Sequence, residues 1–190
     1  YSAVDPLDGR YFDPEIASYL SEESRIAYQA YVEAALAHAL ADSGVCSAEI
    51  AGKIETAAGK VTAAKVAEQE KTTKHDVKAL VNCIKAELTE DAQPYVHFGA
   101  TSYDIVATAL SLQLRTAVDN LVVPRLSSLI DTLLDLTTEY ADTVQVGRTH
   151  GQHAVPVTFG FAMAGYVSRL GETTLALKEL SAALPGKFSG

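Results

Sequence analysis

Residues Asp104 to Asp142 read DIVATALSLQLRTAVDNLVVPRLSSLIDTLLDLTTEYAD. Ile105, Ala109 and Leu112, then Leu126, Leu129, Leu133, Leu136 and Tyr140, recur at the three- and four-residue spacing of one helical face. Only Pro124 interrupts the pattern, which predicts a kink or a short break there. At 1.5 Å per residue such a pair of segments extends on the order of 55 Å, too long for a compact globule of this chain length. Long helices that are apolar on more than one side need partners. The expected fold is therefore all-α and elongated, with association through these stripes.

Downstream lies Gly147 to Gly160, Gly-Arg-Thr-His-Gly-Gln-His-Ala-Val-Pro-Val-Thr-Phe-Gly, a polar break before a second helical pattern from Val157 to Leu180. Glycines at 147 and 151 allow close backbone approach or positive φ, and Pro156 suits the first turn of a new helix. Phe161, Val167, Leu170 and Leu177 share related faces of that helix, with Ala162, Ala164 and Gly165 permitting close packing. Strand-like alternation is not evident anywhere, nor is any repeat or low-complexity segment.

Upstream, the first dozen residues read as irregular, with Asp5-Pro6 and Asp8-Gly9 as turn dipeptides. Arg10-Tyr11 is either an anion clamp or a surface arginine beside a tyrosine packed on the core. Ser21 is an N-cap for a helix with Tyr28, Val32, Leu36 and Leu40 on one face, His38 as a structural residue and Gly44 as its stop. A short helix with Ile50 and Ile54 on one face spans Ser47 to Ala58, and a polar one starts near Thr62. Lys74-His75-Asp76 then opens a stripe of Val77, Leu80, Val81, Ile84 and Leu88. His75 thus stands at a helix N-terminus, where unpaired N–H groups attract anions, and Asp76 is a candidate cap. After Gln93-Pro94, the run His97 to Ser102 leads into the long helix, with Thr101 and Ser102 both able to cap it or to donate to a bound anion.

Composition narrows the function. With 190 residues and 48% hydrophobic content the chain can bury a sizeable core, and a net charge of −9 argues against a nucleic-acid or anionic-membrane surface. Local basic groups can still hold a small anion. No apolar run approaches the roughly 20 residues that cross a bilayer. Cys46 and Cys83 match no metal or redox spacing; they read as buried free thiols and point to a reducing cytoplasm. His150 and His153 lack a neighbouring acidic ligand, so no metal site is expected. Histidines in glycine- or hydroxyl-rich helix starts suit general acid–base chemistry on a carboxylate- or phosphate-bearing substrate.

Taken together, Arg10-Tyr11, Lys74-His75-Asp76, His97 to Asp104 and Gly147 to Gly160 resemble, in order and spacing, the N-terminal portion of the adenylosuccinate lyase family, in the fumarase/aspartase superfamily. The resemblance implies a small helical domain over residues 1–100, followed over 101–190 by the first part of a long-helix bundle domain. It also implies a cytoplasmic homotetramer whose sites are shared between subunits. The implied reaction is a cofactor-free β-elimination in purine biosynthesis that cleaves adenylosuccinate to AMP and fumarate, and SAICAR to AICAR and fumarate. By the same resemblance His150 is the general acid, oriented by Thr149, and Thr149 and Gln152 bind substrate. Lys74, His75 and Asp76 contact substrate and support the acid, Thr101 and Ser102 hold the fumaryl carboxylate, and Arg10, Tyr11 and His97 grip the phosphate. The serine loop that supplies the base is expected beyond Gly190, in a longer chain, so residues 1–190 alone are expected to be inactive. Carboxymuconate cycloisomerases look alike around Gly99 to Asp104 and Gly147 to Gly160 but generally lack a Lys-His-Asp motif and an Arg-Tyr grip. A non-catalytic assembly module would need none of these side chains.

Overall fold

The computed structural model describes residues 8–189. By packing, the chain falls into two compact units, one of residues up to 117 together with those from 184 onward, the other of residues 118–183. Each is described by itself.

The first unit opens with a single helical turn, α1 (Asp8–Tyr11). Irregular structure was expected there, but a tight turn and one turn of helix occupy the same αR backbone region. The expected Asp5-Pro6 turn lies outside the described residues. α2 (Pro14–Leu20) has proline in its first turn, and the Asp13 carboxylate caps the N–H groups of Glu15 and Ile16. α3 (Glu22–Asp42) is capped by Ser21 as expected and ends where Gly44 turns to φ 73° and Val45 N–H reaches the Leu40 carbonyl at 2.9 Å. α4 (Ala48–Ala58), α5 (Ala63–Thr73) and α6 (Asp76–Ala86) follow, the first two capped by Ser47 and Thr62.

The face that α3 buries differs from the expected one. Tyr28, Val32, Leu36 and Leu40 are only half-buried, while Ile26, Ala30, Ala34 and Ala37 are buried, with Gln29 and Glu33 beside them. α3 packs on α4, whose Ala51, Ile54, Ala57 and Ala58 are buried too. Small residues on both helices let the backbones approach, and that close packing outweighs the larger apolar area of the alternative stripe. The α6 stripe matches expectation: Val77, Leu80, Val81 and Ile84 all join this core. Cys46 and Cys83 are free and half-buried, and burial pushes the Cys83 thiol up, away from reactivity.

α7 (Ser102–Ala117) follows a 3₁₀ turn at Gln93–Tyr95 and buries Asp104, Ile105, Ala109, Gln113 and Ala117. Residues from Leu184 return to it: the Thr108 hydroxyl donates to the Lys187 carbonyl at 3.1 Å and that of Ser111 to Pro185 at 2.8 Å. The interruption expected at Pro124 is a π turn, Val118–Val122, after which α8 (Val123–Glu139) resumes with Pro124 in its first turn. Proline has no N–H for the preceding turn, so widening the ladder just before it accommodates the missing bond.

In the second unit α8 and α9 (Phe159–Ala182) pack as an antiparallel pair. At one end Ser181 Oγ donates to Asp119 Oδ1 at 3.0 Å, and at the other Gly160 N–H donates to the Tyr140 carbonyl at 2.9 Å. Between them stands a feature not expected from the sequence, an antiparallel hairpin of β1 (Val144–Thr149) and β2 (Gln152–Thr158). Pro156 lies in β2 and does not start the helix; the Thr158 side chain caps α9 through Phe161 N–H. The fold is otherwise helical, and no described helix is long and apolar enough to cross a membrane.

At the α8–α9 joint, a Cβ on Gly160 would collide with the Thr137 carbonyl and lie within 2.9 Å of Ala141 backbone atoms. Gly160→Ala is therefore expected to destabilise the second unit by roughly 1–3 kcal/mol, the range for overpacking a tight contact. A thermal melt followed by circular dichroism reads this directly. An unchanged midpoint would mean that the two helices do not approach so closely.

Candidate active site

The cleft at the start of α6 is built by an abrupt chain reversal. α5 ends at Lys74, a left-handed residue with φ 54° whose N–H donates to the Glu70 carbonyl at 2.8 Å. The next residue, His75, caps α6. This corrects the expectation for Asp76, which is the first residue of the helix and whose Oδ1 accepts from its own neighbour, Val77 N–H, at 2.7 Å. His75 wins because its β-region φ of −154° turns the ring back over the helix start, where Nδ1 accepts from Lys78 N–H at 3.4 Å.

That bond decides the tautomer of the neutral ring. With Nδ1 as acceptor the proton sits on Nε2, which donates to Ser102 Oγ 3.4 Å away. Nδ1 also lies 3.3 Å from Asp76 Oδ1, the contact that a protonated ring would use. His75 thus has partners in both protonation states. Asp76 is approached in turn by Arg25 of α3, whose Nη1 is 3.8 Å from Oδ2 while Nε and Nη2 grip Glu22 at 2.8 and 2.6 Å.

His97 enters the cleft from the loop before α7. It too is left-handed, with φ 63°, and its Nδ1 lies 2.6 Å from Glu33 Oε1 of α3. Neither hydroxyl caps α7 as expected: that of Ser102 faces His75, and Asp104 reaches back to the helix start in their place. The Thr101 backbone is tied to Asp104, N–H to Oδ2 at 3.0 Å, while its hydroxyl makes no hydrogen bond among the described residues. The buried Asp104 carboxylate also accepts from Lys187 Nζ at 2.8 Å and Ser189 N–H at 3.0 Å, pinning the returning segment to the start of α7.

Thr73, His75, His97 and Ser102 thereby share a cleft of about 540 Å³ with Lys78, Lys85 and the valines at 77, 81 and 96. Among the described residues no carboxylate lines it, Asp76 and Glu33 standing behind the two histidines. In a chain of net charge −9 this is a local basic surface, suited to an anion.

The hairpin presents the other group of candidates within its own unit. His150 and Gly151 form its two-residue turn with φ 53° and 72°, between the Thr149–Gln152 pair. Both central residues at positive φ make a type I′ turn, whose twist suits a hairpin. Thr149, His150 and Gln152 are all exposed there. Opposite Gly147, β2 carries an extra residue, so Ala154 and Val155 face one position, and a Cβ on Gly147 would collide with the Val155 carbonyl. Arg10 and Tyr11 lie on α1, Tyr11 70% exposed, so it is not packed on the core.

Among the described residues, every non-glycine residue at positive φ is a candidate from the sequence: Lys74, His97 and His150. Left-handed backbone costs about 1–2 kcal/mol for such residues, and it clusters where a fold positions functional groups.

Comparison with known proteins decides the family. Residues 11–190 match the sequence profile of the lyase family described as "Lyase". The chain belongs to this lyase family. The adenylosuccinate lyases of Methanocaldococcus jannaschii and Archaeoglobus fulgidus are 41% and 42% identical to it over 93% and 98% of its length. It spans 38% and 41% of the length of those relatives. A solved 3-carboxy-cis,cis-muconate lactonizing enzyme from Pseudomonas putida superposes with a TM-score of 0.87 at 34% identity, over 97% of the chain and 42% of that protein.

In this chain, sequence reasoning missed Lys78, Lys85 and Glu33. The two lysines stand seven apart and lie on the same side of α6 as Val81, a spacing visible in the sequence once His75 is placed at the helix start. Glu33 carried no local signal, because its partner lies 64 residues away.

The Arg25 fork holds the Glu22 carboxyl below the usual carboxylate value of 4.5. A carboxyl with a lowered folded pKa contributes stability above its unfolded pKa and loses it as pH falls through the folded one. Stability of the first unit should therefore carry an acid limb below about pH 4.5 that Arg25→Leu makes shallower. Denaturant titrations at a series of pH values test this; identical limbs would remove Arg25 from the account.

Proposed function

We propose that the chain is the amino-terminal part of an adenylosuccinate lyase, which cleaves adenylosuccinate to AMP and fumarate, and SAICAR to AICAR and fumarate, in cytoplasmic purine biosynthesis. The observation that carries the reading is the basic cleft where His75, His97 and Ser102 converge, in a chain over 40% identical to adenylosuccinate lyases. Fumarate-yielding elimination needs an anion cradle and a proton donor. The cleft offers the cradle, and His150 on the hairpin turn is the proton donor in this reading.

In the proposed mechanism a base outside residues 1–190 takes the proton from the carbon next to a substrate carboxylate. The C–N bond then breaks, its electron pair leaves with the nitrogen, and His150 protonates that nitrogen, oriented by Thr149, while Thr149 and Gln152 bind the substrate. Thr101 and Ser102 donate to the fumaryl carboxylate as charge develops there, the stage at which fixed donors lower a barrier most. Arg10, Tyr11 and His97 hold the phosphate, and Lys74, His75 and Asp76 contact the substrate and support the acid. No cofactor or metal takes part. The domains of the longer protein divide at residue 100, and sites are completed between subunits of a homotetramer. Leu129, Leu134, Phe161, Leu175 and Leu180 are all at least 45% exposed, which supports association through the α8 and α9 faces.

The likeness to the muconate lactonizing enzyme supports a second reading, a cycloisomerase. Assaying the full-length enzyme with adenylosuccinate and with carboxymuconate separates the two. His150→Asn in that enzyme keeps a residue favoured at the first position of a type I′ turn, so the hairpin should persist while turnover falls by about 10²-fold or more and substrate still binds. Turnover within a few-fold of the parent would assign the acid elsewhere. Residues 1–190 alone should self-associate by light scattering and release no fumarate; a strict monomer would overturn the shared-site arrangement, and turnover would place the base within these residues.

A further inference from the structure

We propose that Glu33 is the positioning residue for His97, holding it as the Nδ1–H tautomer with Nε2 presented to the cleft. The inference rests on the reading of His97 as a substrate-binding group, and it starts from a carboxylate in an unusual place. Glu33 lies in the middle of α3 with its side chain wholly buried, and its Oε1 is 2.6 Å from His97 Nδ1. Its Oε2 has no hydrogen-bond partner among the described residues, and neither has the amide of Gln29 one turn earlier, which is itself buried. A buried carboxylate is costly unless something compensates it. Here that group is the imidazole.

The consequence for His97 follows from donor and acceptor roles. An ionised carboxylate only accepts, so Nδ1 must carry the hydrogen. Nε2 has no partner among the described residues and is the atom left for the cleft that His97 lines, as an acceptor on the neutral ring and a donor on the imidazolium. The backbone does not favour this placement by itself, because φ is 63° at a non-glycine residue. Glu33 therefore holds a ring whose own main chain is strained. His75 is fixed the other way, with Nδ1 accepting from Lys78 N–H and the proton on Nε2. In their neutral forms the two histidines facing one cleft are thus held in opposite tautomers, one offering a donor and the other an acceptor.

The test has one arm that needs no substrate. Long-range ¹H–¹⁵N spectra of the full-length protein should show neutral His97 as the Nδ1–H form and neutral His75 as the Nε2–H form. Glu33→Leu should move His97 toward the Nε2–H form without moving His75. An Nε2–H form of His97 in the parent protein, or no change in Glu33→Leu, overturns the proposal whatever the activity. In kinetics, Glu33→Leu should raise KM for adenylosuccinate about tenfold with kcat changed less than about threefold, as for a lost binding interaction. Glu33→Gln, which keeps an acceptor for Nδ1–H, should rescue most of that loss and is the variant to read if Glu33→Leu does not fold. In a His97→Asn background the effect of Glu33→Leu should shrink to within about twofold, because residues that act through one another are not additive. A full-sized effect in that background would make Glu33 merely structural and overturn the proposal. A changed tautomer with unchanged KM would support the positioning while overturning the reading of His97 as a binding group.

Discussion

The first unit depends on the close approach of α3 to its neighbours, made possible by an alanine face. Ala30, Ala34 and Ala37 take almost no room, so Ile54 of α4 and Leu80 and Ile84 of α6 can share one core with them and keep no exposed surface. Burying each such large aliphatic side chain contributes about 1.5–3 kcal/mol. Two of them outweigh the left-handed backbone at Lys74 and His97, at about 1–2 kcal/mol each. The scaffold can therefore hold two strained residues beside one cleft, and the strain puts the imidazoles where relaxed backbone would not.

The same approach brings a buried polar turn, Gln29 and Glu33, next to the loop that carries His97. Leucines at these positions would leave His97 without a partner. The polar residues reduce local packing freedom and give the ring one orientation. Asp104 does comparable work at the start of α7, where one buried carboxylate gathers Thr101, Lys187 and Ser189.

Much of this was legible in the sequence, for reasons that differ by residue. The α6 stripe was readable because large aliphatic residues at helical spacing have one plausible use, and Ser21, Ser47 and Thr62 announce helix starts by chemistry alone. The α3 face was misread because alanines give a weak hydrophobic signal, although they pack closest. The hairpin was overlooked although Val144-Gln145-Val146 alternates and His150-Gly151 stands between them and a second β-branched run. Each run was short and lay between strong helical patterns. That His75, His97 and Ser102 share one cleft was not readable from the chain, because it depends on packing between distant segments.

The extra residue in β2 sets a rule of parity for the hairpin. Side chains in a strand alternate faces, so one residue too many, at Ala154 and Val155 opposite Gly147, reverses which residues of β2 face each way beyond that point. Substitutions along β2 leave that arrangement in place, whereas deleting a single residue there would turn Gln152 and His153 to the opposite side relative to Val157 and Thr158. Descendants of this sequence can therefore vary the letters of the hairpin more freely than its length, and gaps of one residue between Gly147 and Thr158 should be rarer among working relatives than changes of residue type.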